Sequence, residues 1–179
     1  SEMEKVVTDA KELLERLDRE LERVIRESDK ILDELRRKIE EVIKRSDELL
    51  EELDRRIKEN KESKDLVEEI VRAAEESDKD VERVVDEIRK EVEKVNDEVR
   101  RLIKEIVDRL KDMLKKVRDA GVREELIERV RRLVEELIEK AKKLLEESER
   151  KSARLIEDLE RLLEESRRKS DKLIKKARK

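Results

Sequence analysis

The side chains that could do chemistry in this sequence are carboxylates, amines, guanidinium groups and a few serine hydroxyls. Among 179 residues there are 54 Asp or Glu and 50 Lys or Arg, with no His, Cys or aromatic residue. A carboxylate acts as a general acid or base when burial or a like charge raises its pKa. No position in the apolar stripes described below is ionisable, so we expect no carboxylate with a raised pKa. The sequence therefore predicts no catalytic residues and a protein that is not an enzyme.

The composition also disfavours the usual bound groups. A carboxylate-bridged metal bundle needs inward-facing Glu and His, and the chain has neither His nor a glycine-rich phosphate loop. A net charge of -4, interspersed signs and the lack of stacking rings argue against nucleic acid. Apolar residues never run beyond two together, which argues against a membrane span or a signal peptide. We expect no metal, no cofactor, no nucleic-acid or membrane partner, and a soluble chain without a targeting signal, whose localisation is left open.

The elements that must position these side chains follow an eighteen-residue period. Residues 144–161 read LLEESERKSARLIEDLER, and residues 162–179 read LLEESRRKSDKLIKKARK, without a gap. Eighteen residues make a whole number of turns at 3.6 residues per turn, so the pattern returns to the same face of a straight helix. Strict heptads would impose a left-handed supercoil instead. The period therefore predicts long, nearly straight helices.

Two short breaks divide the chain into three helices. A capping box at Ser1 opens the first helix, Asn60 tolerates the conformation that ends it, and Ser63 can cap the second. The only glycine, Gly121, stands at the second break, followed by Val122 as the apolar contact of the cap. The sequence predicts an all-α, antiparallel, up-down-up three-helix bundle. It forms a single domain over 1–179, with helices at about 2–59, 64–119 and 123–178, each roughly 85 Å long.

Serines interrupt the apolar stripes at phases set by the same period. Ser28 and Ser46 are in phase with Ala10, at the centre of the stripe of the first helix. If each loop is the mirror point of its hairpin, the numbers of facing residues add to about 123 across the first loop and about 243 across the second. On this register the chain forms two buried polar layers. One contains Ser46, Ser77, Ser166 and Ser170, and the other contains Ser28, Asn96, Ser148 and Ser152.

Two interpretations of these layers stay open. In the first, each hydroxyl bonds back to the carbonyl four residues earlier in its own helix and fills a narrow core. In the second, the hydroxyls bond between helices and fix the pairing and register of apolar stripes that would otherwise be interchangeable.

Taken together, these features resemble computationally designed helical bundles with idealised helices and buried hydrogen-bond networks. The resemblance rests on the period, on the absence of Pro, His, Cys and aromatic residues, on the short loops, and on the in-phase Ser28, Ser46, Ser148 and Ser166. It implies a very stable, monomeric scaffold with no natural biochemical activity. The alternative is a helix-binding module or a self-associating assembly component. Ala73, Val71 and Val107 flank the stripe of the second helix and would form its docking face, or else they are boundary packing.

Overall fold

The computed structural model describes residues 2–59 and 63–179 and contains three helices. These are α1 (Glu2–Glu59), α2 (Lys64–Asp119) and α3 (Glu124–Ala177). Their bounds differ from the predicted ones by at most one residue. No strand occurs in the described part of the chain. The predicted all-α three-helix bundle is confirmed.

The helices form because strong helix formers and one amphipathic pattern continue through each of them. Each is rich in Glu, Lys and Arg, with Leu frequent in α1 and α3 and Val frequent in α2, and none contains proline. Acidic residues stand in the first turn of each helix and basic residues in the last, which complements the helix dipole. The apolar side chains share one face, so burial of that face adds tertiary stability to the local propensity.

The two breaks are set by local chemistry. The N–H of Leu66 donates to Ser63 Oγ at 3.3 Å, so Ser63 caps α2. At the second break Gly121 has a φ of 66°, a left-handed conformation that favours glycine, and Val122 after it is buried. The predicted capping box at Ser1 and the helix-ending Asn60 lie outside the described residues.

The chain divides into two compact units, and each helix contributes one segment to each unit. Unit 1 contains the residues up to Ile31 together with Lys94–Ser152, and unit 2 contains Leu32–Glu93 together with Ala153–Lys179. The single domain over 1–179 stays a prediction.

The core of each unit takes apolar side chains from all three helices. In unit 1 it includes Leu14, Leu17 and Leu21 from α1, Ile106, Leu110 and Met113 from α2, and Val130, Val134 and Ala141 from α3. One cluster in unit 2 contains Leu50, Leu53 and Ile57 from α1, Ile70, Val71 and Ala74 from α2, and Leu173 and Ala177 from α3. Burial of these side chains stabilises each unit by about 25 cal/mol for each Å² of apolar surface removed from water.

Ion pairs report the register of α1 against α3, and we call them the α1–α3 ladder. The partners in five of these pairs differ by 122 in residue number, so the two helices run parallel. Unit 1 contains Asp18–Lys140 at 2.7 Å and Asp29–Lys151 at 3.6 Å. Unit 2 contains Arg36–Asp158 at 2.7 Å, Asp47–Lys169 at 3.1 Å and Asp54–Lys176 at 2.7 Å.

A second set of pairs, the α2–α3 ladder, joins antiparallel segments. Its members are Arg100–Glu149 at 2.8 Å in unit 1, and Arg89–Glu160 at 3.4 Å and Glu82–Arg167 at 3.1 Å in unit 2. The partner numbers add to 249 in each pair, above the 243 expected from the loop. Helical side chains lean towards the N-terminus of their own helix, and in antiparallel segments these leans are opposite. Contacting residues are therefore displaced from the residues whose Cα atoms are level.

Candidate functional site

All seven serines predicted to form the polar layers are buried, with 1–7% of their surface exposed. They are Ser28, Ser148 and Ser152 in unit 1, and Ser46, Ser77, Ser166 and Ser170 in unit 2. Asn96, the remaining predicted member, is half-buried in unit 1. A buried hydroxyl without a hydrogen bond costs roughly 1–3 kcal/mol, so the partner of each one matters.

In the polar layer of unit 2, a hydrogen bond between two hydroxyls connects two helices. Ser46 Oγ on α1 lies 2.9 Å from Ser77 Oγ on α2, and either hydroxyl can donate to the other. The hydroxyls of Ser166 and Ser170 on α3 are buried and have no hydrogen-bond partner among the described residues. The structure therefore brings α1 and α2 together through hydroxyls and leaves α3 outside this bond.

In the polar layer of unit 1, the hydrogen bond between helices joins a different pair of helices. The Ser152 hydroxyl on α3 donates to Asn96 Oδ1 on α2 at 2.6 Å. The Ser28 hydroxyl on α1 donates to the carbonyl oxygen of Ile25, one turn earlier in the same helix, at 2.8 Å. Ser148 Oγ has no hydrogen-bond partner within the described ranges. Both interpretations of the serines therefore apply, each to a different residue.

The two layers are copies of each other, displaced by one period. Adding eighteen converts Ser28, Ser148 and Ser152 to Ser46, Ser166 and Ser170. The copies differ on α2, where Val95 and Asn96 in unit 1 correspond to Ser77 and Asp78 in unit 2. Where α2 offers a hydroxyl, the α1 serine bonds across the interface. Where α2 offers a valine, the α1 serine bonds to its own backbone.

Asp78 corrects the expectation that no carboxylate has a raised pKa. Desolvation by burial raises the pKa of Asp78 above its ordinary value, and Asp171 and Glu82 act in the same direction. Arg167 lowers it, with the smaller overall effect. The apolar stripes did not reveal Asp78 because it lies at their margin. The period would have revealed it, since Asp78 stands eighteen residues before Asn96.

The ion pairs beside the two layers have their signs exchanged between α2 and α3. Beside Asn96, Arg100 Nε on α2 lies 2.8 Å from Glu149 Oε1 on α3. At the corresponding positions in unit 2, Glu82 is on α2 and Arg167 on α3, with 3.1 Å between Glu82 Oε1 and Arg167 Nη2. Both ion pairs are neutral overall, so Asp78 adds a negative charge where Asn96 adds none.

No group of His, Cys, Asp or Glu within 2–59 and 63–179 could hold a metal ion. None of the helices, in the part of the chain that the structure describes, is both long and apolar enough to cross a bilayer. A groove of about 360 Å³ between α1 and α3 in unit 1 contains Leu14, Leu133 and Leu137 with charged residues around them. Leu133 is 40% exposed there.

The three residues that flank the stripe of α2 do not form a free apolar face. Val71 is 5% exposed and belongs to the unit 2 core cluster, because the end of α3, with Leu173 and Ala177, packs at the same place. Ala73 packs against that cluster and is partly buried. Val107 in unit 1 is half-buried. Val71 is therefore a core residue, and Ala73 and Val107 lie at the boundary of the core.

The helices and their pairing define this chain as a three-helix bundle. No protein-family model matches the sequence. No curated protein matches it either. Among solved structures, a chain described as "Computationally designed three helix bundle" is similar, with a TM-score of 0.50 and 17% sequence identity, over 98% of this chain and 86% of that one. The resemblance to designed helical bundles is therefore confirmed at the level of the fold.

Proposed function

We propose that the protein is a structural scaffold that holds three helices in one register, without catalytic activity and with no partner required. The observation that carries this proposal is the repetition of interhelical ion pairs at fixed offsets in both ladders. An exposed pair contributes only about 0.2–1 kcal/mol to stability, so the ladders add little to what the buried core supplies. Their arrangement is more informative than their strength.

The signs of the charges exchange along the α1–α3 ladder. The α1 partner is acidic at Asp18, basic at Arg36 and acidic again at Asp54, and these positions are one period apart. Sliding α3 by one period would keep the apolar stripes matched. It would also bring Asp158 opposite an aspartate and oppose basic residues elsewhere, and like charges repel. The exchange therefore selects one register among several that the core accepts.

The α2–α3 ladder has the same property. Its exchanged pairs, Arg100–Glu149 and Glu82–Arg167, are also one period apart. A slide by eighteen residues in one direction would place Arg100 opposite Arg167, and a slide in the other direction would place Glu82 opposite Glu149. A chain whose surface charges specify register, and whose buried polar groups are hydroxyls at repeated positions, is suited to holding a shape.

The test removes the exchange of signs along the α1–α3 ladder while keeping an oppositely charged pair at this position. The double variant Arg36→Asp with Asp158→Lys leaves oppositely charged partners at this position. In this variant, the ladder residues of α1 are all acidic and those of α3 are all basic. Because the chain has no Cys, spin labels can be attached at Glu40→Cys and Glu165→Cys, both exposed positions in unit 2, without background labelling. Electron–electron distance measurements and light scattering then report register and mass.

For the wild-type sequence we expect one narrow distance and the mass of one chain. For the double variant we expect similar stability but a second distance or a fraction of dimers. Several distances in the wild-type sequence would contradict the scaffold proposal. An unchanged single distance in the double variant would remove the role assigned to the ladder.

The alternative is a helix-binding or self-associating module, and the exposed Leu133 in the groove between α1 and α3 of unit 1 favours it. The period places Lys151 and Lys169 at the equivalent positions, where each pairs with an aspartate of α1. Leu133→Lys restores the residue type of the repeat and removes the exposed apolar side chain. A wild-type dimer that becomes a monomer in this variant would establish self-association in place of the scaffold role.

A further inference from the structure

We propose that the face of α1 and α2 that holds α3 in unit 2 is a docking surface for a separate helix, and that the α3 segment Ala153–Lys179 is exchangeable there. The partner is an amphipathic helix with the charge pattern of this segment and with valine in place of Ser166 and Ser170. Such a helix binds to the chain and displaces the segment. This inference goes beyond the scaffold role, which requires no partner, and does not depend on it.

The α3 segment of unit 2 buries two hydroxyls that form no hydrogen bond. Ser166 is 4% exposed and Ser170 is 2% exposed, and neither Oγ has a partner among the described residues. The serines of the other two helices in this layer are satisfied, because Ser46 on α1 and Ser77 on α2 bond to each other at 2.9 Å. Hydroxyls therefore join α1 to α2, whereas those of α3 carry an uncompensated desolvation cost.

The polar contact of α3 is better satisfied in unit 1. There the Ser152 hydroxyl on α3 donates to Asn96 Oδ1 on α2 at 2.6 Å. This bond leaves Ser148 as an unbonded α3 hydroxyl in the described part of unit 1. The α3 segment of unit 2 has no counterpart to the bond to Asn96, so we assign the exchange to unit 2.

The docking surface consists of apolar side chains of α1 and α2. Leu50, Leu53 and Ile57 on α1 and Ile70, Val71 and Ala74 on α2 form one buried cluster with Leu173 and Ala177 of the segment. When the segment leaves, this apolar face is exposed to water, which is unfavourable. A free helix with the same apolar stripe covers the face again.

The repeat indicates that valine fits at both serine positions. Two periods earlier in α3, Val130 and Val134 occupy the equivalent places and are 0% and 1% exposed. On α2, the residue that corresponds to Ser77 in that layer is the larger Met113. A helix with two valines therefore meets a smaller α2 side chain in unit 2 than α3 meets in unit 1, and we expect no overpacking.

The ion pairs of unit 2 specify the charges that the partner helix needs. Residues of α1 and α2 that pair with the segment are Arg36, Asp47, Asp54, Glu82 and Arg89. The segment meets them with acidic residues at positions 158 and 160 and with basic residues at positions 167, 169 and 176. The partner is therefore acidic near its N-terminus and basic near its C-terminus, an order that the helix dipole also favours.

The gain from two valines is large enough to compete with a segment that is attached to the chain. An attached segment competes at an effective concentration on the order of millimolar. Removing one unbonded buried hydroxyl tightens binding by about 5- to 150-fold. For two hydroxyls the advantage is on the order of 100-fold or more, so a free helix at roughly 10 micromolar displaces half of the attached segment.

The experiment uses the full chain and a synthetic peptide of residues 153–179 that carries Ser166→Val and Ser170→Val, the valine peptide. Fluorescence anisotropy of the labelled peptide measures binding, and spin labels at Glu40→Cys and Glu165→Cys report whether the segment leaves α1. We expect half-saturation on the order of 10 micromolar, with a longer and broader distance between the labels over the same range. The peptide of unaltered sequence should bind about 100-fold more weakly.

A locked chain is the matched control for the site of binding. Ser166→Val with Ser170→Val in the full chain gives the attached segment the same valines, so the valine peptide loses its advantage. We expect the locked chain to bind this peptide about 100-fold more weakly than the wild-type chain does. We also expect it to unfold at a higher denaturant concentration.

A second control tests the charge pattern. In the valine peptide, Arg167→Glu with Lys169→Glu places like charges against Glu82 and Asp47. We expect this peptide to bind the wild-type chain more weakly than the valine peptide does, and the difference should shrink at high salt. Equal binding of the two peptides would overturn the charge pattern assigned to the partner.

Three other results would overturn the exchange itself. The first is no binding of the valine peptide by the wild-type chain up to about 1 millimolar, or binding no tighter than that of the unaltered peptide. The second is equal binding by the wild-type and locked chains, because the peptide would then bind outside the α3 site. The third is a locked chain that is no more stable than the wild type. The two peptides on the wild-type chain decide even if the locked chain does not fold.

Discussion

Ser28 in unit 1 and Ser46 in unit 2 occupy the same place in the repeat, in the same helix, and both are almost fully buried. Ser28 donates to its own backbone, whereas Ser46 bonds across the interface to α2. The residue opposite decides between them, because α2 carries Val95 in one unit and Ser77 in the other. A buried serine on a helix is thus neither a spacer nor a register element by nature, and its role follows from its neighbour.

The comparison extends to the next residue of α2. Asn96 is a neutral acceptor with a bonded partner, and Asp78 is an ionisable acceptor whose copy of that partner is unbonded. The repeat places both residue pairs at equivalent positions, and the change from amide to carboxyl, together with the exchanged charges around it, separates a satisfied site from a titratable one. The positions that depart from the repeat therefore make the two units chemically different.

The largest expected change in the free energy of unfolding comes from substitutions in the core. Leu159 in unit 2 and Ala141 in unit 1 are equivalent by the period, and both are fully buried. Leu159→Ala should destabilise the protein by roughly 2–5 kcal/mol, because it leaves a cavity. Ala141→Leu should also destabilise it, by roughly 1–3 kcal/mol, through overpacking. Urea denaturation measures both, and two neutral results would mean that the units have interchangeable cores.

A smaller effect is expected when the polar layer of unit 1 is converted to that of unit 2. Val95→Ser removes an apolar side chain worth roughly 1.5–3 kcal/mol of burial and supplies a hydroxyl for Ser28, worth about 1 kcal/mol. We expect a net loss of roughly 1–2 kcal/mol. Adding Ser28→Ala closes a double-mutant cycle, which should give a favourable coupling between positions 28 and 95. Zero coupling would mean that Ser28 keeps its bond to Ile25.

The reverse conversion should stabilise unit 2 slightly. In Ser77→Val, Ser46 loses its partner across the interface and can bond to the carbonyl of Ile43, the copy of Ile25. The apolar burial gained exceeds the hydrogen bond lost by about 1 kcal/mol. Thermal denaturation should show a higher midpoint. A clear decrease would instead assign the Ser46–Ser77 bond a stabilising role.

The smallest expected effect concerns the ladder charges. Arg36→Asp places like charges beside Asp158 and should destabilise the protein by less than about 1 kcal/mol, and by less again at high salt. Arg36 lowers the pKa of Asp158 through a hydrogen bond, so the stability from this pair is present above the pKa of the unfolded chain and is lost as the pH falls. Asp78 has the opposite dependence. Chemical denaturation at acid and neutral pH, each at low and high salt, would separate the two, and an Arg36→Asp cost that persists in acid would contradict the ion-pair interpretation.

Much of the fold could be predicted because period, charge placement and breaks agree. Ser63 and Gly121 mark their helix ends by side-chain chemistry and backbone conformation, both of which are local. The register of the second hairpin was harder to predict. Side chains lean towards the N-terminus of their own helix, so the residues in contact are displaced from those that the loop midpoint places level. For the same reason Asn96 bonds Ser152 and not Ser148, which the predicted register placed level with it.

The sequence could predict which serines are buried in the polar layers, but not which hydrogen bonds they form. Burial of the serines follows from their phase, which is a property of one helix. Hydrogen bonding depends on the residue across the interface and on rotamer choice, which a single helix does not encode. Asp78 was missed for a related reason, because a residue at the margin of a stripe is buried or exposed according to what α3 places against it.

The most direct measurement is a high-resolution crystal structure of the double variant Ser77→Val with Val95→Ser, which exchanges the α2 residues of the two layers. If the residue opposite decides the bonding, the two serines of α1 should exchange roles. Ser46 should then donate to the carbonyl of Ile43, and Ser28 should bond to the hydroxyl introduced at position 95. If Ser28 still donates to Ile25 in the presence of that hydroxyl, the local backbone sets the choice, and the partner helix does not decide the role of a buried serine.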